Sequence, residues 1–325
     1  MTVKKQSFSY PDVFRVVQYT LDHKRLILQA IGLVSSLVVL FGFFYLSYLA
    51  QGRLTFLPWF LKAAGVIFAY LTLMIFAGPV TYLILKEIET GERGTIAEAF
   101  REGLRSGLKL ALAPMGVLSF ILASGILLVL FNCLGMIPSA GPLLWSLLLI
   151  PQFILALFLV VGAITLLAET LLLPSIIVSE KISAGEAFGA IFKIMKKKFL
   201  TFWGYAFTAL FLNVIYFGLV TLIILAAVVL MFSLSPILLD DLPGEVVLSI
   251  PAFFQKIPPI LETAYPLPSG QIAEGWVYPV SGTVAGLSLL IIYVAWLSYP
   301  FLYMFNSGVI IYLALREYGV KKVGA

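Results

Sequence analysis

Six stretches of this chain are apolar for about 20 residues or more, the length a helix needs to cross hydrocarbon ~30 Å thick. They run roughly from Leu26 to Leu49, Ala63 to Leu85, Leu110 to Leu134, Leu143 to Leu167, Thr201 to Phe232 and Thr283 to Leu315. Lipid offers no water to an unpaired N–H or C=O, so a spanning segment must pair its own backbone groups. The composition agrees: 61% of residues are hydrophobic and 11% charged, against about 25% charged in a soluble globular chain. Mean hydropathy is +1.06. The expected fold is all-α, a polytopic integral membrane protein of about six transmembrane helices. The fourth stretch stays apolar to Val178, and the last two exceed the minimum by about ten residues, which tilt or a kink at Pro300 would absorb. The first run starts at Leu26 and is full length, which predicts a retained helix rather than a cleaved signal peptide.

Orientation follows from the basic residues. Eighteen of the 21 lie in one set of connecting segments: around Lys4–Arg25, from Lys86 to Lys109, from Lys181 to Lys198, and from Arg316 to Lys322. The opposite set holds only Arg53, Lys62 and Lys256. The positive-inside rule then places both termini in the cytoplasm of a bacterial inner membrane. The outer side has one substantial segment, 233–282, acidic through Asp240, Asp241, Glu245, Glu262 and Glu274 and broken by eight prolines. Its apolar residues from Val246 to Ile257 predict a short surface helix followed by an irregular return.

The two long inner connections resemble each other. Thr95-Ile-Ala-Glu-Ala-Phe100 matches Ser183-Ala-Gly-Glu-Ala-Phe188 at an offset of 88. Each has the capping form [ST]-x-x-E, with Thr95 and Glu98 in one copy and Ser183 and Glu186 in the other. Amphipathic sequence follows both. Ile96, Phe100, Leu104 and Leu108 are expected on one helix face; in the second copy Phe188, Ile191, Phe192, Met195 and Phe199 form the greasy face. The single membrane domain is therefore expected to hold two parallel span-helix-span units, 63–134 and 143–232, each with an interfacial helix. An N-terminal segment (1–25), the outer segment (233–282) and a last span (283–315) complete it.

At this point the chain resembles a loose group of bacterial six-span proteins. A [ST]-x-x-E-A-F helix leading into Lys196-Lys-Lys-Phe-Leu-Thr-Phe-Trp203 is similar to the membrane domain attached to some glycerophosphodiester phosphodiesterases and to uncharacterised relatives. The resemblance spans about residues 80–215 and implies a six-helix membrane fold without established catalytic residues. The soluble phosphodiesterase domain of those fusions is not in this sequence, so its activity does not carry over.

Few residues suit chemistry. There is no Gly-Lys pair for a Walker A loop, no G-x-S-x-G, and a single His and Cys, His23 and Cys133; neither a metal site nor a cofactor nor a catalytic residue is expected. Nucleic acid is an unsuitable partner because the basic residues flank the spans. Glu169 is the sharpest feature, a carboxylate in an apolar run, where such groups often mark ion or proton paths. The plainer alternatives are a span ending near Leu167, with Leu171 to Val178 along the surface, or a hydrogen-bonded Glu between helices. Asn213, Asn306, Gln152 and Gln29 are candidate partners for it or interhelical glue. Lys193, Lys196, Lys197 and Lys198 beside Trp203 suit the headgroups of an anionic leaflet. These features favour a non-enzymatic membrane protein that contacts phospholipid and partner proteins, a homo-oligomer or a subunit of a membrane complex. The alternative is a small permease for a lipophilic or amphiphilic solute.

Overall fold

A computed structural model of the chain describes residues 10–51, 57–137, 141–239 and 277–321. Among them no strand occurs, and six helical stretches are long and apolar enough to cross a membrane. After a 3-10 turn at Tyr10–Arg15 come α1 (Val16–Thr20), α2 (His23–Leu49), α3 (Leu57–Thr90) and α4 (Ile96–Arg105). Next are α5 (Gly107–Leu112), α6 (Met115–Leu134), α7 (Gly141–Leu147), α8 (Leu149–Glu180), α9 (Ala184–Leu239) and α10 (Val277–Lys321). The candidate spans are α2, α3, α5 with α6, α8, the Ala184–Ala227 part of α9 and the Val284–Arg316 part of α10. Asp240, Asp241 and the surface helix expected from Val246 to Ile257 lie outside the described residues.

The fourth span starts later than expected. Leu148 leaves helical geometry (φ −89°, ψ 1°) and separates α7 from α8. Pro151, in the first turn of α8, tolerates that start because the earliest N–H groups of a helix have no intrahelical acceptor to lose. The first connecting helix also differs: α4 stops at Ser106, so Leu108 belongs to the span that follows and not to the face of Phe100 and Leu104.

The chain forms two compact units. In unit 2 (20–73 and 210–303), α2 and α3 pack antiparallel: Ser47 Oγ donates to the Pro58 carbonyl at 2.9 Å and Ser36 Oγ to that of Ala69 at 2.7 Å, with Phe43 stacked on Phe68. Its α9 and α10 segments pair through Trp296, which stacks on Phe217 and donates to Thr221 Oγ1 at 2.9 Å.

Unit 1 (up to 19, 74–209 and from 304) is held by small residues. The α4 backbone at Gly103 lies on α3, so a Cβ there would overlap Pro79, and one on Gly78 would come within 2.6 Å of the Gly103 carbonyl oxygen. Gly107 leaves only 2.9 Å between an added Cβ and the Ile75 side chain. Such residues let backbones approach where lipid removes the hydrophobic drive for association. In the same unit α6 packs against α8, with Phe120 against Phe158 and Gly162 against Ile121, and against α7, where Trp145 Nε1 donates to Asn132 Oδ1 at 3.3 Å.

Candidate functional site

Both connecting helices carry closed capping boxes. Thr95 Oγ1 accepts from the Glu98 N–H, and Glu98 Oε2 accepts from the Thr95 N–H, both at 3.2 Å. Ser183 Oγ accepts from the Glu186 N–H at 3.4 Å, and Glu186 Oε2 accepts from the Ser183 N–H and hydroxyl at 2.8 Å each. Lys86 adds to the first box by donating to Glu98 Oε2 at 2.9 Å. That ammonium, and then the Thr95 N–H, hold the Glu98 carboxyl below its ordinary 4.5. A carboxylate depressed in the folded state stabilises above its unfolded value, and the contribution is lost as pH falls through the folded one. Thr95→Ala should therefore cost α4 about 1 kcal/mol. Hydrogen exchange in its first turn should quicken, and the same amides should lose protection in the unmodified chain below pH 4.5. Unaltered protection in both cases, after correction for intrinsic rates, would show that the box does not hold this helix.

Beyond its cap, α9 shows three faces, as ~100° per residue requires. Ala187 and Ile191 are buried. Phe188 and Phe192 point elsewhere and are 41% and 64% exposed, and Phe199, just past the break, is 53% exposed. Lys193, Lys196 and Lys197 form the third face and are exposed. The single greasy face expected from the sequence is thus divided: Ile191 packs on protein, while the phenylalanine rings are left uncovered beside three ammonium groups.

Lys198 and Trp203 behave differently from these. Lys198 is non-helical (φ −136°, ψ 33°) and marks the break between the connecting helix and the fifth span. Its ammonium donates to the Leu315 carbonyl near the end of the last span. Trp203 packs among Phe199, Phe202 and Phe207, with ring centroids 6.2, 5.1 and 5.4 Å away. Its indole N–H is buried without an acceptor. The uncovered ring next to the lysines is therefore Phe199.

Sequence reasoning missed a polar cluster at the end of α8. Lys181 closes that helix in the left-handed conformation (φ 54°). Lys109 Nζ donates to the Lys181 and Ile182 carbonyls at 3.3 and 3.2 Å. Tyr312 OH donates to Glu180 Oε1 at 2.5 Å, and Arg316 donates to Ser179 Oγ at 3.4 Å. The available signal was the four-residue spacing that puts Tyr312 and Arg316 on one helix face.

Glu169 lies in α8, 11 residues before its last residue, or ~16 Å. The helix is unbroken between them, and Leu171 to Ile177 are buried; they do not form a separate surface segment. The Glu169 side chain is 0% exposed and neither carboxyl oxygen has a hydrogen-bond partner. The backbones of α8 and α10 meet where a Cβ on Gly308 would overlap the Leu171 carbonyl. Leu171 with Gly308 and Ser179 with Arg316 share one offset of 137 residues, so the helices run parallel. The same register carries the buried Asn306 to the level of Glu169. Gln152 is 17 residues away on α8 itself, ~25 Å. Asn213 belongs to unit 2, where its Nδ2 donates to the Pro300 carbonyl at 3.1 Å, and Gln29 is buried in that unit too. Among the described residues no three His, Cys, Asp or Glu side chains gather for a metal ion. No family model, curated protein or solved structure matches the chain.

Proposed function

We propose that this integral membrane protein is non-enzymatic and holds anionic phospholipid at the cytoplasmic surface of a bacterial inner membrane. In this reading both termini are cytoplasmic and the protein acts with partner proteins, as a subunit of a membrane complex. The carrying observation is the start of α9, where exposed Phe188, Phe192 and Phe199 adjoin Lys193, Lys196 and Lys197 while Ala187 and Ile191 tie the helix to its unit. Exposed rings sink to the acyl boundary and leave the ammonium groups among phosphates. Lysine suits a diffuse attraction, being a flexible point charge without a bidentate fork. Each such group contributes ~1 kcal/mol near an anionic surface.

Replacing Lys193, Lys196 and Lys197 together by Gln should lower retention of phosphatidylglycerol over phosphatidylcholine by about tenfold or more. The readout is native mass spectrometry of correctly inserted protein released from mixed nanodiscs. Added salt should act in the same direction on the unmodified chain, because attraction is screened within about 8 Å at physiological ionic strength. Equal retention by both forms leaves these lysines a topogenic role alone and sinks the proposal.

The permease reading draws on a different observation, the enclosed and unpartnered Glu169. Proteoliposomes separate the two. Proton or solute flux that Glu169→Gln abolishes would make transport the primary function, whereas no flux above protein-free vesicles would remove it.

A further inference from the structure

A groove of about 470 Å³ runs beside the start of α9 within unit 1. Leu112, Gly116 and Phe120 form one wall, Val161 and Thr165 the other, and Gly185 and Phe188 of α9 close one end. From Leu112 to Phe120 it follows α5 and α6 for ~12 Å. Its volume falls within the ~300–1,000 Å³ of small-molecule sites, yet its walls belong to apolar candidate spans. A space open to hydrocarbon and lined by apolar side chains is filled by hydrocarbon, since a void forfeits dispersion contacts and water there would lack polar partners.

Two glycines contribute to the open space. A Cβ on Gly116 or on Gly185 would meet nothing within 4 Å. No neighbouring side chain demands glycine at either position, in contrast to Gly103 and Gly308. What their missing side chains leave open is the groove itself.

The end of the groove at α9 carries an ammonium group. Lys109 lies one turn before Leu112, and its ammonium sits on the Lys181 and Ile182 carbonyls, beside the Ala184–Phe188 end of the groove. An ammonium has three donors, and these two acceptors leave one for a phosphate oxygen. Glu186, the nearest acid on α9, has one carboxyl oxygen committed to Ser183 and is attracted to the Lys109 charge, so an arriving phosphate shares that ammonium with it.

We propose that the groove binds one acyl chain of an anionic phospholipid, with the Lys109 ammonium meeting its phosphate. The inference rests on the reading that α9 works at an anionic leaflet, and it turns a diffuse surface attraction into a defined site. The occupant is a lipid rather than a helix of a second copy because polar charge stands at one end and an apolar wall follows, in which the one hydroxyl, of Thr165, is spent on the Val161 carbonyl.

The test uses full-length protein in nanodiscs of phosphatidylcholine containing a phosphatidylglycerol with a photoreactive acyl chain, and crosslinked peptides are mapped by mass spectrometry. Label should concentrate on the Leu112–Phe120 and Val161–Thr165 walls. Gly116→Leu and, separately, Gly185→Leu should each lower labelling of those walls about tenfold while total lipid content stays unchanged. Two variants on different helices keep the test intact should one fail to fold, which gel filtration and a melting curve would show. Lys109→Gln should remove the preference of this label for the glycerol over the choline headgroup. Wall labelling untouched by either leucine overturns the proposal, as does a crosslink from the walls to a second protein chain. The Lys193, Lys196 and Lys197 replacement separates the two ideas. Loss of bulk anionic retention with the walls still labelled supports the groove and the surface reading together. Unchanged bulk retention with the walls labelled leaves the groove standing and the surface reading lost.

Discussion

Gly308→Ala should destabilise the folded protein by about 3 kcal/mol or more, at the top of the range for overpacked sites. A methyl group on Gly308 would overlap the Leu171 carbonyl oxygen and crowd that residue's carbon atoms as well. Both sides of this contact are backbone, so no rotamer change can relieve it, and α8 and α10 must separate. Separation would also disturb the bonds from Tyr312 to Glu180 and from Arg316 to Ser179. The measurement is an unfolding midpoint in mixed micelles, with Gly116→Ala as the comparison. Nothing lies within 4 Å of a Cβ on Gly116, and Ala is the better helix former by up to ~1 kcal/mol. The two substitutions should therefore move stability in opposite directions. A Gly308→Ala protein as stable as the unmodified chain would mean that the α8–α10 contact is looser than described.

The helical, six-span architecture was legible because lipid imposes one coarse rule, a long apolar run for each crossing. Helix starts at Thr95 and Ser183 were legible for a local reason: a cap and its reciprocal Glu lie three residues apart, and no distant contact is needed to form them. Helix ends and breaks were less so. The breaks at Ser106 and Lys198 fall 11 and 15 residues after the two caps, and although the sequence turns apolar just beyond each, that change marks the start of a span and not a break in the helix. Lys198 turns because its ammonium finds the Leu315 carbonyl, a partner 117 residues away that no local pattern announces.

Faces were misread where size mattered more than hydropathy. Pattern reading weighs Ile96, Phe100 and Leu104, but the face of α4 that is buried belongs to Ala99 and Gly103. Small residues spaced by four, continuing to Gly107, are the signal for close approach between helices in lipid. The corresponding positions of α9, at the offset of 88, are Ala187 and Ile191, and both are buried. The lysines divide on similar grounds. Lys109 and Lys198 serve backbone carbonyls of other elements, whereas Lys193, Lys196 and Lys197 remain exposed. Charge counting treats all five alike, and only the fold separates those that hold the protein together from those that face its surroundings.

Glu169→Met should stabilise the protein by about 1–3 kcal/mol, the cost of a buried polar group left without a partner. Even as a neutral acid the side chain presents one donor and further acceptor capacity, and neither oxygen is satisfied in the folded state. Removing a buried polar group that has no partner leaves no other group orphaned, unlike cutting one member of a hydrogen-bonded pair. Methionine keeps a similar length and its flexible thioether fills irregular gaps, so the cavity term stays small. Glu169→Gln retains the polar burden and should change stability far less. The same denaturation curves in mixed micelles rank the three proteins. A gain with Met, together with normal lipid retention, would mark Glu169 as a residue kept at a cost in stability, the pattern that functional sites show. Flux measured on the Met and Gln variants then asks directly what that cost serves. A Glu169→Met protein less stable than the unmodified chain would mean that the carboxyl has a partner in the folded state, and with it the case for an unsatisfied intramembrane acid would fall.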